Sequence, residues 1–413
     1  MNGLPMADTL QPRDAKDVEA AVQWVLAEGK ATEIVGHGSK RVIGRPAQTD
    51  LTLDLSALSG ITLYEPEELV LSAKAATPLA EIEAVVAAKG QQLAFEPMDY
   101  ATLLGGVAGR GTIGGALAAN VSGPRRIKAG AARDHFLGFS AVSGRGETFK
   151  SGGRVVKNVT GYDLCKLIAG SWGTLAAMTE VTIKVLPAAE TEETLLIRGL
   201  EPAQAVEAMT TAMGSACDVS GAAHLPPEVA TSIPAVAGAA AGMTALRLEG
   251  FSPSVVHRRG VLQGLMKPFG ELATIDAPAS RALWQAVRDV TPFAAGREGM
   301  EGPLWRISTA PERGAELGAT IAERGGAQVL YDWAGGLLWL TLAASDDAGA
   351  ARIGPAVAAT GGHATLIRAP ASMRAAIGVF APEEAGLAAL TKRVKESFDP
   401  KGVLNPGRMW AGV

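Results

Sequence analysis

Three clusters of small residues are the parts of this sequence best suited to chemistry, because they could hold a large ligand by its backbone contacts. In Val35-Gly36-His37-Gly38-Ser39-Lys40 a β-branched strand, Thr32 to Val35, runs into a loop nearly free of side-chain bulk. Backbone N–H groups released at a strand end can curl around an anion such as a pyrophosphate, with Ser39 and Lys40 adding polar contacts. Gly clusters are also ordinary turn punctuation, and taken alone this loop reads as a turn. The second cluster, Gly111-Thr112-Ile113-Gly114-Gly115-Ala116-Leu117-Ala118-Ala119-Asn120-Val121-Ser122-Gly123, is small at nearly every position. Such a run lets a backbone approach a flat ring or a phosphate, or lets a helix pack tightly on a sheet. The third is Lys157-Asn158-Val159-Thr160-Gly161-Tyr162-Asp163-Leu164, followed by Gly170-Ser171-Trp172-Gly173-Thr174-Leu175 and Thr179-Glu180-Val181-Thr182.

Three competing motifs fail on context. Gly109, Gly111 and Gly114 match the dinucleotide fingerprint, with Asp134 at the distance of a ribose-binding acid, but that motif needs a strand directly before it, and Pro97 and a run of Gly stand there instead. Ala169, Ser171 and Gly173 resemble a nucleophile elbow with its first Gly replaced. His224, His257 and His363 follow, none with the context of a base held by an acid. No Walker sequence is present. Cys165 and Cys217 lie far apart without nearby His pairs, so two reduced thiols are expected and neither a disulfide framework nor a metal site.

The order Gly-Tyr-Asp-Leu, Gly-Ser-x-Gly-Thr-Leu, Thr-Glu in the third cluster closely resembles the FAD-linked oxidases with a vanillyl-alcohol-oxidase fold. The two earlier loops and the ending Phe398-Asp399-Pro400-Lys401-Gly402-Val403-Leu404-Asn405-Pro406-Gly407-Arg408 extend the resemblance over most of residues 12 to 187 and the last dozen or so. It implies an α+β protein: a PCMH-type FAD-binding domain of two α/β subdomains over 1–189, an α+β cap or docking domain over 190–375, and a segment 376–413 that returns to the flavin. Carried over by motif, Gly36, His37, Gly38, Ser39 and Lys40 face the pyrophosphate. Thr112, Gly114, Gly115, Asn120, Ser122 and Gly123 line the pyrophosphate and ring region. Gly161, Gly170, Ser171, Gly173 and Thr174 support the pocket, Val181 touches the cofactor through its backbone, and Asn405 approaches the ring. His37 sits in a Gly-His-Gly-Ser order, unlike the Gly-Gly-His of relatives that link flavin covalently, so non-covalent FAD is expected.

Within that family Arg133-Asp134-His135-Phe136-Leu137-Gly138, Val155-Val156-Lys157-Asn158-Val159-Thr160-Gly161-Tyr162-Asp163 and Leu304-Trp305-Arg306-Ile307-Ser308 resemble the E-subunit branch of the bacterial glycolate oxidases. The catalytic hydroxyacid dehydrogenases resemble the companion D subunit, and the paired His and His-Gly-x-Gly with which they hold a metal and a base are missing here. The resemblance implies the FAD-binding subunit of a glycolate (D-2-hydroxyacid) dehydrogenase complex. It would oxidise glycolate to glyoxylate and pass electrons through flavin to an iron–sulfur F subunit and quinone. The alternative is a flavin-bearing scaffold that stabilises the catalytic D subunit. Oxidising a 2-hydroxy acid needs a cation for the carboxylate and a base for the hydroxyl proton besides the flavin. Arg306, His363 and Arg368 are the candidates, against the plainer readings of a salt-bridged Arg and a surface His.

The remaining sequence must position these groups. At 413 residues the chain exceeds what one core usually organises. A net charge of -4 without a polybasic run argues against nucleic acid. The amino terminus, with Asp8, Arg13, Asp14, Lys16 and Asp17, lacks a secretory pattern. The apolar stretch Trp333 to Ala344 falls short of the ~20 residues a membrane helix needs. A cytoplasmic protein is expected, reaching the membrane's inner face only through its complex. Apolar spacing predicts a helix from Asp14 to Gly29 and another from Pro78 to Lys89. Strands are predicted at Leu51 to Leu55, Leu69 to Ala73 and Val181 to Leu186, with a hairpin from Phe136 to Phe149. Beyond Pro187 the chain reads as Ala-rich helices with strands at Thr244 to Leu248, Trp305 to Ser308, Gln328 to Trp333 and Leu337 to Leu342. A last helix, Glu383 to Ser397, puts Leu387, Leu390 and Val394 on one face.

Overall fold

Asp14 and Gly29 bracket the first helix as their types predict. The Asp14 carboxylate accepts from the N–H groups of Lys16 and Asp17 at 2.9 Å each, and Gly29 closes Ala15–Glu28 with a φ of 63°. This computed structural model describes residues 8–46, 48–154, 161–239, 241–323 and 325–413, so Val155, Val156, Lys157, Asn158, Val159 and Thr160 lie outside the described residues. Val18, Val22 and Val25 pack that helix onto Leu51 and Leu53 of a parallel sheet, in which Leu51–Asp54 lies between Asp8–Leu10 and Thr32–Val35. The end of the chain joins it: Leu404 pairs in parallel with Thr32.

An antiparallel sheet follows, in the order Ile61–Glu65, Val70–Lys74, Ala176–Lys184, Phe136–Ser143, Thr148–Gly152. The strand predicted from Val181 begins five residues earlier, at Ala176, where Ala176, Ala177, Met178 and Thr179 run buried and the strand packs against the short helix Ile113–Ala118.

Residues 191–368 build a larger antiparallel sheet of eight strands among the described residues. Its order is Leu272–Ile275, Thr191–Arg198, Met243–Gly250, Gly221–Leu225, Ala327–Asp332, Leu337–Leu342, Leu304–Ser308, His363–Arg368. Alternation gives it two working faces. Trp305, Ile307, Leu338 and Leu340 pack with Leu317, Ile321 and Ile353 from the helices Gly314–Ala322 and Ala350–Thr360. Leu304, Leu330, Trp339 and Ile367 share a core with the N-terminal half. Arg306 alternates with Trp305 and Ile307 and pairs with Trp339 and Thr365, so it belongs to the second face.

A square of buried charges also joins the halves. Arg247 donates to both Glu96 oxygens at 2.9 and 3.1 Å, and Arg125 grips both Glu249 oxygens at 3.0 Å. Burial alone pushes both carboxyls up, yet the Arg247 and Arg125 guanidiniums outweigh it and hold both below the ordinary range, Glu249 at about 2. The helix Ala385–Phe398 overturns the sequence expectation about its face. Leu387 and Leu390 are 53% and 48% exposed, while its buried residue is Lys395. The Lys395 ammonium donates to Asp399 and to the Thr174 and Leu404 carbonyls, and satisfying these acceptors outweighs burying two leucines.

Depressed carboxyl values mean that the square's stabilisation is fully present above the unfolded glutamate value and is lost as pH falls toward 2. Arg247→Met, which leaves Glu96 short of its partner, should cost roughly 3–5 kcal/mol in urea unfolding at neutral pH. The difference from wild type should shrink as the buffer is acidified below pH ~4. A cost that does not change with acidification would mean the square contributes no charge-dependent stability.

Candidate functional site

The strand Thr32–Val35 stops where its sequence turns to glycine, and the loop Gly36 to Arg41 forms one wall of a cleft. Thr112, Gly114, Gly115, Ala118 and Ala119 form the opposite wall, and Leu55, Ala75, Ala76, Ala176 and Met178 the apolar floor. Trp172, Gly173 and Arg408 close one side. The empty space of the cleft, its open mouth included, is about 740 Å3.

Its polar groups point to an anion. His37 Nδ1 and Arg408 Nε are buried without a hydrogen-bond partner among the described residues, a costly state that a ligand would relieve. Burial pushes the Lys40 ammonium down to about 8, Asp99 opposing and Arg408 reinforcing the shift, and its hydrogen-bond partner is Ser39 Oγ at 3.3 Å. Burial and Arg110 lower His37, against Asp54, so its imidazole is neutral at neutral pH. A Cβ on Gly115 would lie 2.9 Å from Thr112 Oγ1 and 3.4 Å from Lys40 Nζ, narrowing the cleft. Gly114 has another reason to be small: a Cβ there would sit 2.7 Å from the Ala75 carbonyl oxygen, so it lets the helix Ile113–Ala118 rest on that backbone. The packing reading of this run thus holds at Gly114, while Gly115 borders the cleft beside Lys40.

Of the residues singled out in the sequence, Gly36, His37, Gly38, Ser39, Lys40, Thr112, Gly114, Gly115 and Gly173 line this cleft together. The others stand behind it or further off. Asn120 accepts from the Arg133 N–H at 3.1 Å, and Ser122 from the Ala132 N–H at 2.9 Å. Gly123 packs on Glu96 and accepts from Trp333 Nε1 at 3.0 Å. Ser171 and Thr174 close the turn around Trp172, Gly170 precedes it with a φ of 86°, Val181 lies buried in its strand, and Gly161 is exposed. Asn405 is a clamp: its Oδ1 accepts from the Ile34 N–H at 2.9 Å and its Nδ2 donates to the Trp172 carbonyl at 2.8 Å. Sequence reasoning missed Arg408, Trp172, Leu55 and Met178 as cleft residues, although Arg408 and Trp172 sit inside the quoted motifs.

The three candidates from the second half separate. Arg368 spends its guanidinium on the Leu103, Phe293 and Met300 carbonyls at 2.8, 2.8 and 2.6 Å. Arg306 lies 5.1 Å over the Trp333 ring and 5.9 Å from that of Trp339, with no hydrogen bond or carboxylate contact among the described residues. His363 is exposed at the end of its strand, on the face of Thr365, and desolvation together with the Arg306 and Arg126 charges lowers its imidazole. Tyr100 comes edge-on to Trp339 at 6.4 Å.

Among the described residues no cluster of His, Cys, Asp and Glu could hold a metal, and no helix is long and apolar enough to cross a membrane. Residues 7–152 match the family model described as FAD binding domain. The chain is 34% identical over 391 residues to glycolate oxidase subunit GlcE of Escherichia coli (strain K12), covering 94% of this chain and 95% of that one. It is 30% identical over 172 residues to glycolate oxidase subunit GlcD of Bacillus subtilis (strain 168), covering 42% and 34%. In fold it is similar to p-cresol methylhydroxylase with substrate bound, with a TM-score of 0.70 and 12% identity over 97% of this chain and 88% of that one.

Gly114→Val forces the helix Ile113–Ala118 off Ala75 and should strip the flavin from the purified chain, whereas Arg306→Ala, on the far sheet, should keep it. Overpacking of this kind costs about 1–3 kcal/mol or more. Flavin absorbance per chain is the readout, and equal content in both variants would place the cofactor elsewhere.

Proposed function

Since the chain belongs to the GlcE family of glycolate oxidase subunits, with a PCMH-type FAD-binding domain, we propose that it is the FAD-binding subunit of a glycolate (D-2-hydroxyacid) dehydrogenase complex. The observation that carries this reading is the small-residue cleft, whose buried His37 Nδ1, Arg408 Nε and Lys40 ammonium await an anion. FAD fits that donor set, and when bound it supplies the two-electron acceptor for the carbinol carbon of a 2-hydroxy acid. Lys40 and Arg408 would offset the pyrophosphate charge, Ser39 would offer its hydroxyl as a hydrogen-bond donor, and Gly36, Gly38 and Gly115 would let the group approach the backbone. The order around His37 favours non-covalent attachment. Companion D and iron–sulfur F subunits complete the complex, take the electrons toward quinone and provide any contact with the membrane.

On the sheet face toward the N-terminal half, Arg306 has a free guanidinium for the substrate carboxylate. His363, kept neutral by desolvation and by the neighbouring arginines, takes the hydroxyl proton on its imidazole. Trp333 and Trp339 give that face its apolar part, and Arg368 acts as a positioning residue through its three carbonyls. The exposure of His363 favours a second reading, in which this subunit carries flavin and stabilises the catalytic subunit without oxidising substrate itself.

Acid precipitation should release the yellow colour into the supernatant; colour in the pellet would mean a covalent flavin. Anaerobic glycolate should bleach the flavin of the isolated chain, and His363→Ala should slow that bleaching on the order of 10²-fold or more. Because the neutral imidazole is the active form, the wild-type rate should fall only as pH drops through a value below 6.5. Unchanged colour in the isolated chain, with turnover only in the assembled complex, would establish the scaffold reading.

A further inference from the structure

Two neighbouring arginines are treated oppositely by this fold. Arg125 is matched, held between the Glu96 and Glu249 carboxylates. Arg126 is not: its guanidinium lies 4.2 Å over the Trp333 ring and, among the described residues, neither donates a hydrogen bond nor contacts a carboxylate. Arg306 reaches the same ring from the other half of the molecule at 5.1 Å, likewise unmatched. Burial lowers both guanidiniums, and the Arg306 charge lowers Arg126 further. Tyr100, Thr365 and the exposed His363 are the polar side chains beside them.

The nearby acids offset this charge only in part: Asp332 favours the charged form of Arg306 and Asp134 that of Arg126, but neither carboxylate forms an ion pair or hydrogen bond with them among the described residues. Asp332 is buried, pushed up to about 7 chiefly by desolvation, and its oxygen accepts from the Trp333 N–H at 2.7 Å. Asp134 is turned to Lys166, Arg133 and the Ala131 N–H. Trp333 itself is fixed. It has a φ of 52°, followed by 58° at Ala334 and 100° at Gly335, a left-handed run that non-glycine residues rarely hold. Its indole N–H donates to the Gly123 carbonyl across the junction. Strain of this kind persists where surrounding structure enforces it, often at ligand sites.

We propose that this face binds a dicarboxylate, with one carboxylate on Arg306 and the other on Arg126 and the carbon chain lying along Trp333 and Trp339. The site rests on the reading of this face as the substrate wall and adds Arg126 as a second anchor. A monocarboxylate such as glycolate neutralises one guanidinium and leaves the other's charge partly buried and unmatched, a costly condition. A dianion neutralises both and draws its two carboxylate contacts from the two halves of the chain. The aromatic walls suit a carbon skeleton better than a compact inorganic anion.

Titration calorimetry of the full chain with malonate, acetate and inorganic phosphate tests this. Malonate should bind at least about ten-fold more tightly than acetate, since a second charge-assisted contact is gained. Arg126→Met should remove that preference while leaving acetate within about two-fold, because one such contact is lost. Arg126→Lys, which keeps the charge, should retain part of it, and Arg306→Met should weaken both acids. Equal affinity for malonate and acetate in the wild type, an undiminished preference in Arg126→Met, or phosphate binding as tightly as malonate would overturn the proposal. Flavin content, read separately by absorbance, keeps its failure distinct from that of the cofactor reading. A flavin-loaded chain without malonate preference sinks the dicarboxylate site alone, and a chain that never carries flavin yet prefers malonate sinks only the cofactor reading.

Discussion

The Asn405 carboxamide ties the strand that feeds one wall of the cleft to the turn that closes its side, and so shapes the space in which we place the cofactor. Its oxygen takes the Ile34 N–H at the end of the strand feeding the Gly36 to Arg41 loop, and its nitrogen reaches the carbonyl of Trp172 on the opposite side. Either group left buried without a partner would cost about 1–3 kcal/mol. The backbone there is committed to this geometry: Asn405 has a φ of 44°, its N–H donates to the Thr32 carbonyl, and Leu404 makes an isolated parallel bridge to Thr32. Lys395 and Asp399 support it from beneath. An isolated buried pair of this kind adds little net stability, but Lys395 also satisfies the Thr174 and Leu404 carbonyls while Asp399 accepts from the Val403 and Leu404 N–H groups. Arg408 then enters the cleft because Asn405 has fixed the chain three residues before it.

The second junction works differently. Between the cleft-bearing half and the eight-stranded sheet, Glu96, Arg125, Arg247 and Glu249 match charge for charge, whereas Arg126 and Arg306 share the Trp333 ring without an ion-pair partner among the described residues. The matched square fixes how the halves meet, and the unmatched pair marks where a ligand would complete the interface. Trp333 serves both, pinned to Gly123 while carrying the two guanidiniums.

Much of the first half was legible in the sequence because its signals are local. Glycines at 36, 38, 114 and 115 lie close to the groups they serve, and Asp14 and Gly29 mark their helix without help from distant residues. What the sequence hid depends on contacts across long separations. Nothing near Arg408 says that it crosses to Lys40, and nothing near Trp333 says that it meets Gly123. Ala-rich strands such as Gly221–Leu225 were missed because their β preference comes from neighbours on both sides rather than from their own residues. In the stripe Leu387, Leu390, Val394 only Val394 packs on the core, while Leu387 and Leu390 stay exposed and Lys395 meets three buried acceptors.

Equilibrium binding of FAD to Asn405→Ala, followed by flavin fluorescence on the full chain, tests most directly whether this clamp shapes the cleft. Loss of two buried hydrogen bonds should raise the dissociation constant by on the order of ten-fold or more. An Asn405→Ala chain that folds and binds FAD as tightly as the wild type would contradict the account, because the cleft walls would then hold their spacing without the returning segment.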